Sequence, residues 1–180
     1  MPGSMPYNVS RIVQLARTLT PRSILDVGCG FGKYGVLFRE ALDIIHGRYH
    51  KRDWKIRIDA VEVFSPYLNV IHEYIYDDIY HCDIREFDWD KEYDLVFMGD
   101  VIEHFTKEEG LQILDSFFAK HVLLSTPDHF SEAPNTYMDN VNEEHRYVWK
   151  PEDFKDLEKW NLKAAAADRY MQTILLEKKE

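Results

Sequence analysis

Little in this chain advertises its chemistry. Its 180 residues include two cysteines, Cys29 and Cys82, and neither has the spacing of a metal-ligand pair. A disulfide scaffold is therefore not expected, and both read as reduced thiols in a cytoplasmic protein. No apolar run approaches the length that spans a bilayer, and the N-terminus lacks a secretory pattern, so no membrane partner is expected. There is no internal repeat and no low-complexity segment. Positive charge is scarce too: 22 Lys and Arg face 32 Asp and Glu, a net charge of −10. Such a surface does not attract a phosphate backbone, which argues against nucleic acid and for a small-molecule substrate. The one concentrated positive patch is the loop Arg48-Tyr49-His50-Lys51-Arg52-Asp53. It reads as a solvated loop or as a contact for an anionic substrate.

What the chain does have is 45% hydrophobic residues and enough length for one domain, 1–180, with a sizeable core. Met1–Ser4, ahead of Met5, reads as a cloning scar. The organising stretch is Ile24–Gly35, I-L-D-V-G-C-G-F-G-K-Y-G. Ile24–Val27 is a short buried strand, Gly28, Gly30 and Gly32 follow at alternate positions, and Tyr34–Ile45 has helical periodicity. Strand, glycine turn and helix bring backbone close to a ligand and aim helix N–H groups at it. Asp26 sits two residues before Gly28, where it would repel a pyrophosphate and welcome a ligand with positive charge and donor groups. Gly30-x-Gly32-x-x-Gly35 also fits the dinucleotide fingerprint, although that register leaves Gly28 inside the strand with Asp26 beside it. A glycine-rich turn without a ligand is the third reading. A phosphate P-loop is ruled out, because Lys33 is followed by Tyr34 where Ser or Thr is required.

The rest of the chain reads as an alternating α/β pattern. Val9–Leu19 is an amphipathic helix stopped by Thr20-Pro21. Lys55–Val63 is a strand ending in Val61-Glu62-Val63, and an acid at that point accepts hydrogen bonds from ribose hydroxyls. Ser65-Pro66 opens a helix bearing Leu68, Val70, Ile71 and Tyr74. Asp78–Cys82 is a third strand, followed by Asp83-Ile84. Tyr93–Gly99 is a fourth, apolar throughout as buried parallel strands are. It ends in Asp100-Val101-Ile102-Glu103-His104-Phe105, at the end where open α/β sheets bind ligands. Thr106 caps a helix to Ala119, and His121–Thr126 is the fifth strand. Residues 128–150 lack periodicity and read as a substrate-side lid. Pro151 begins a helix to about Trp160, and Leu162–Tyr170 and Met171–Lys178 are the last strands. The alanines at 164–167 are poor strand formers and weaken the first of these.

The pattern Asp26-x-Gly28-x-Gly30-x-Gly32, with Glu62, Asp83 and the Asp94–Phe105 segment in order, resembles the class I S-adenosylmethionine (SAM)-dependent methyltransferases. The resemblance implies a three-layer α/β/α Rossmann-like fold, with a seven-stranded, mostly parallel sheet and an antiparallel last strand. It implies SAM as cofactor and methyl transfer to an O or N acceptor. It places Asp26, Gly28, Cys29, Gly30 and Gly32 around the methionine part, Glu62 with Val63 at the ribose, and Asp83 with Ile84 at the adenine. Asp100 stands where the family contacts cofactor or substrate. The segment from Glu143 to Phe154 is similar to one found after the fifth strand in methyltransferases of unassigned substrate.

An O or N acceptor must lose a proton, which suits a histidine. His104, His129 and His145 are the candidates, with His104 and His145 taken as catalytic. In the set Asp100, Glu103, His104 and His145, Glu103 and His104 with the distant His145 ahead of Tyr147-x-Trp149 also resemble the metal site of small-RNA 3′-end 2′-O-methyltransferases. Asp100 stands where that family has Glu, and carboxylate plus imidazole ligands suit Mg²⁺ or Mn²⁺ only in a mixed site. A metal-assisted RNA 2′-O-methyltransferase, a non-catalytic module that binds SAM or S-adenosylhomocysteine (SAH), and a dinucleotide oxidoreductase are the alternatives.

Overall fold

The computed structural model describes residues 5–129 and 138–180. The four residues read as a cloning scar and part of the segment read as a lid lie outside them. The chain forms one seven-stranded sheet in the order β3-β2-β1-β4-β5-β7-β6. Its strands are β1 (Ser23–Val27), β2 (Arg57–Val61), β3 (Ile79–Tyr80), β4 (Tyr93–Gly99), β5 (Ala119–Pro127), β6 (Trp160–Asp168) and β7 (Met171–Lys178). All neighbours pair in parallel except those of β7, which runs antiparallel to both β5 and β6. The helices are α1 (Val9–Leu19), α2 (Lys33–Leu42), α3 (Val70–Ile75) and α4 (Lys107–Ser116). Among the described residues no helix is long and apolar enough to cross a membrane.

Successive side chains of a strand point to opposite faces, and the two cores follow that rule. Leu25, Val27, Val96 and Met98 pack with Ile113, Phe117, Trp149 and Trp160 on one face. Ile24, Leu95 and Phe97 pack with Ile12, Ala16, Tyr34 and Phe38 on the other. The central strands are therefore apolar on both sides, which is why they read as continuous runs. The alanines at 164–167 do lie in β6, where pairing with β7 outweighs their weak propensity.

Several boundaries differ from the sequence reading. The helix after Gly32 ends at Leu42, and a separate 3₁₀ turn covers Ile44–His46. Ser65-Pro66 opens only a 3₁₀ turn, and α3 starts at Val70 under an Asn69 cap whose side chain accepts from the Ile71 N–H. Val70, Ile71 and Tyr74 face solvent, while His72 and Ile75 face in. The third strand shrinks to two residues. The helix capped by Thr106 stops at Ser116. Pro151–Phe154 is a single 3₁₀ turn, because Trp160, fully buried, already belongs to β6.

The basic loop lies beyond the C-terminal end of α2. That is the opposite edge of the sheet from the glycine turn. Arg48 pairs there with Asp43 at 2.6 Å, and Lys51 donates to the carbonyls of Glu73 and Tyr76 at 2.9 and 3.0 Å. Arg48 and Lys51 tie down the loop, Arg52 faces solvent, and none of the three lines the cavity at the strand ends, so the solvated-loop reading is the one the structure favours. Buried Arg39 holds the same edge together. It bonds to Asp43, Asp77 and the carbonyls of Ile75 and Ile56.

Candidate functional site

The parallel strands all end on one edge, and a cavity of about 810 Å³ runs along it. Its walls follow the strand order. Asp83 and Ile84 come after β3, Glu62 and Val63 after β2, Gly28, Cys29 and Gly30 after β1, and Asp100 after β4. His104 and His145 line the far part, with Tyr7, His129 and Tyr170. Of the residues assigned from sequence, only Gly32 lies off the wall. It sits at the start of α2 in the left-handed region, φ +84°, over the His72 ring.

The glycine turn is built on backbone that side chains resist. Gly28 has φ +66° and Gly30 φ +54°, and a methyl group on Gly28 would collide with the Val101 side chain. Two buried acids organise the turn. One Glu62 carboxylate oxygen accepts from the Gly30 N–H and the other from the Phe64 N–H, both at 2.9 Å. Asp26 accepts from the Tyr76 hydroxyl at 2.6 Å. Burial pushes the Asp26 carboxyl up to about 7; the Tyr76 hydrogen bond opposes the shift and Glu62 adds to it. Burial raises Glu62 as well, against the pull of its backbone donors. Burial, with the charges of Asp26 and Glu62 beside it, raises the Cys29 thiol beyond any useful range, so this cysteine is not a nucleophile.

Two residues that sequence reasoning missed hold this arrangement: His72 in α3 and Tyr76, which directly follows its last residue. His72 accepts at Nδ1 from the Asn69 N–H, at 3.1 Å. Its proton is therefore on Nε2, which donates to the Gly30 carbonyl at 2.9 Å. Tyr76, four residues on, reaches Asp26, and its ring fills the space that a side chain at Gly35 would need. An i,i+4 spacing of His and Tyr is the only available signal, and it is hidden among more hydrophobic neighbours.

Asp83 lines the adenine end expected for it, but its carboxylate already accepts from Arg85, at 2.6 and 3.0 Å. That hydrogen bond is the main reason its pKa lies below the usual value. Asp100 has φ +58° and accepts from the Ser125 hydroxyl at 2.8 Å. Ser125 in turn accepts from buried Asn8 at 3.0 Å, so the residues ahead of α1 are tied into the site.

Glu103, His104 and His145 converge, each offering one atom within 4.8 Å of the others. The join is made by backbone: Arg146 and Tyr147 N–H groups donate to the Glu103 carbonyl at 2.7 and 3.2 Å. His104 Nδ1 lies 3.1 Å from the Glu144 carbonyl. Glu103 Oε2 accepts from Thr126, whereas Glu103 Oε1 and His145 Nδ1 are buried with no hydrogen-bond partner among the described residues. Burial, then Asp100, raises the Glu103 carboxyl well above its ordinary value. Burial lowers His104, and it lowers His145 to about 4 with His104 adding to the shift. His129, the third histidine read from sequence, is on the wall but bonded to Asp128 at 2.7 Å.

No family model matches the sequence, and no curated protein matches it either. Solved structures do. A Pyrococcus horikoshii OT3 protein, PH0226, superposes at a TM-score of 0.66 with 18% identity, over 99% of this chain and 93% of its own. The magnesium protoporphyrin IX methyltransferase of Synechocystis PCC 6803, solved with SAM, gives 0.64 and 15% over 96% and 78%. The methyltransferase domain of a bacterial protein, CtHen1-CN, gives 0.59 and 15% over 95% and 97%. Some larger proteins of the fold are only partly spanned, an Escherichia coli rRNA methylase over 65% of its length. The fold is that of the class I SAM-dependent methyltransferases, as the glycine pattern implied.

Proposed function

We propose that the chain is a SAM-dependent methyltransferase acting on an O or N acceptor of small size. The observation that carries this is the pair of buried carboxylates, Asp26 and Glu62, on either side of a glycine turn inside one cavity. Two acids there repel a pyrophosphate and stabilise a cation with hydroxyl and ammonium donors. The cavity is roomy enough for a nucleoside with an amino-acid tail. Asp26 and the Gly28–Gly30 backbone would hold the methionine part, Glu62 the ribose, and Asp83 with Ile84 the adenine.

Bound SAM supplies a methyl group on a sulfonium, already electrophilic. This chain's residues have the remaining tasks. The walls after β4 and β5 exclude water and hold the acceptor in line. His104 is the better placed proton acceptor, since His145 at about 4 is a weak base. The acidic chain and the engagement of Arg85 and Arg146 with Asp83 and Glu109 favour a small acceptor over nucleic acid.

Calorimetry with SAM, SAH and NAD tests the reading. SAM and SAH should bind and NAD should not, and binding should disappear in Glu62→Ala. Uptake of NAD with indifference to SAM sinks the proposal.

A second reading, metal assistance, is favoured by one observation. Glu103 Oε1 and His145 Nδ1 are orphaned in the same cluster, and a buried orphan costs about 1–3 kcal/mol. A divalent ion held by Glu103, His104 and His145 would satisfy both. The donor set, one carboxylate and two imidazoles, suits Mn²⁺ or another first-row divalent ion better than Mg²⁺, which prefers oxygen ligands. Mn²⁺ titration followed by paramagnetic broadening should show binding that His145→Ala removes. Equal broadening in both proteins rejects the metal.

A further inference from the structure

The cavity has a second end that the cofactor reading leaves unused. Three rings stand there, on three separated parts of the chain: Tyr7 ahead of α1, His129 after β5, and Tyr170 in the turn between β6 and β7. Tyr7 and Tyr170 have centroids 6.2 Å apart and cross at 67°; His129 and Tyr170 are 5.1 Å apart at 60°. The rings form a corner, not a stack. Tyr170 is 56% exposed on this wall, a large aromatic surface that the described residues leave open.

The corner is held rigidly. Asn8 is buried and donates to Ser125 and Thr173 at 3.0 and 3.2 Å, which fixes the residue beside Tyr7. Arg11 grips Asp168 through two nitrogens at 2.7 and 3.3 Å, which docks the β6–β7 turn against α1. The Asp128 N–H donates to the Tyr170 carbonyl at 3.0 Å. Arg169, φ +56°, lies 5.1 Å over the Tyr7 ring from outside. Rings fixed before binding lose little entropy when a ligand arrives.

We propose that Tyr7, His129 and Tyr170 form the acceptor subsite and select a flat, unsaturated ring. This rests on the methyltransferase reading, since it places the acceptor at the β5–β7 end while the cofactor occupies the β1–β3 end. A planar ring lies against one wall of the corner with its edge on the other, and gains offset or edge-on contacts that an aliphatic ring of equal size lacks. The acceptor is a free aromatic molecule and not a nucleobase in a strand, because the chain is strongly acidic and the cations near the cavity make no row along which a backbone could run: Arg85 and Arg146 are held by acids, Lys33 stands beside Asp100, and Arg169 lies over the Tyr7 ring.

The full chain, with and without saturating SAH, is titrated with 2-naphthol and with its saturated counterpart decahydro-2-naphthol by saturation-transfer NMR. 2-Naphthol should bind at least tenfold more tightly. Tyr170→Leu and Tyr7→Leu should each erase that preference while leaving SAH affinity unchanged. Equal affinity for the two probes, or a preference that survives both substitutions, overturns the proposal. So does a single-stranded hexa-adenylate that binds more tightly than 2-naphthol and depends on Tyr170. Failure of SAH to bind refutes the methyltransferase reading instead, and the ring preference is then read from the probes alone.

Discussion

The Tyr76 hydroxyl donates to the Asp26 carboxylate across 2.6 Å, fifty positions apart in sequence and wholly buried. The pair connects α3 to the strand before the glycine turn. It also sets the charge of the cavity floor, because the hydrogen bond is the one influence named here that favours the ionised acid. Tyr76→Phe removes that donor and leaves the site's shape. A hydrogen bond to a charged group is worth about 1.5–3 kcal/mol, so SAM affinity should fall roughly ten- to hundredfold. Calorimetry at pH 7 measures it, and an unchanged affinity would show that Asp26 does not act as an anion.

SAM affinity should depend on pH through the same acid. With its folded value raised to about 7, Asp26 is largely protonated below that pH, and a cationic ligand prefers it ionised. Affinity therefore rises from pH 5.5 and levels off above 7, with proton release on binding. In the free protein the sign reverses. A carboxyl raised from 3.8 contributes stability that is complete below 3.8 and is lost as pH rises through 7. Glu62, Tyr76 and Cys29 are the ionisable neighbours, and Asp26→Asn separates them from Asp26 itself. Calorimetry in two buffers of different ionisation heat counts the protons.

Gly28→Ala meets two separate obstacles. The backbone at φ +66° disfavours any side chain by about 1–2 kcal/mol, and the new methyl collides with Val101. SAM binding should be lost. Adding Val101→Ala removes the collision and leaves the backbone cost, so the double variant should recover part of the affinity. No recovery at all would assign the whole effect to backbone.

Arg39→Met tests the opposite edge of the sheet. The guanidinium is 2% exposed, and its removal takes from the buried Asp43 carboxylate one of its two cationic partners, Arg48 remaining, and leaves the Ile75 and Ile56 carbonyls without their buried donor. Breaking such a network costs about 3–5 kcal/mol, on the order of 10 °C in Tm for a chain of this size. Affinity for SAM, measured on protein still folded at 15 °C, should be unchanged. Scanning calorimetry reads the first effect and isothermal titration the second.

The frame of the fold was legible wherever burial falls on both faces of a strand. Tyr93–Gly99 reads directly from its apolar run, and the turn after β1 from its glycines and Asp26. Legibility ended where polar side chains point inward. The segment with Val70, Ile71 and Tyr74 looks like a helix packed through those residues, yet those three are exposed and His72 is fully buried, holding the Gly30 carbonyl. Asn8 and Arg39 are hidden for the same reason, since composition assigns them to the surface and only distant partners make them buried. The meeting of His145 with Glu103 and His104 depends on backbone bonds from Arg146 and Tyr147, which leave no trace in side-chain pattern. Short 3₁₀ turns at Ser65 and Pro151 carry the same capping signals as longer helices, so those lengths were overread.

The order of the strands divides the work. Residues before position 90 make most of the end assigned to the cofactor, with Asp100 and, through Asn140 and Glu143 on the Tyr67 hydroxyl, the loop after β5 reaching it, while the far corner draws on the β6–β7 turn, on His129 and on a few N-terminal residues. Exchanging the segments that carry Tyr7 and Tyr170 would retune what is modified without disturbing how the donor is gripped. Grafted between two chains of this fold, they should carry substrate taste with them.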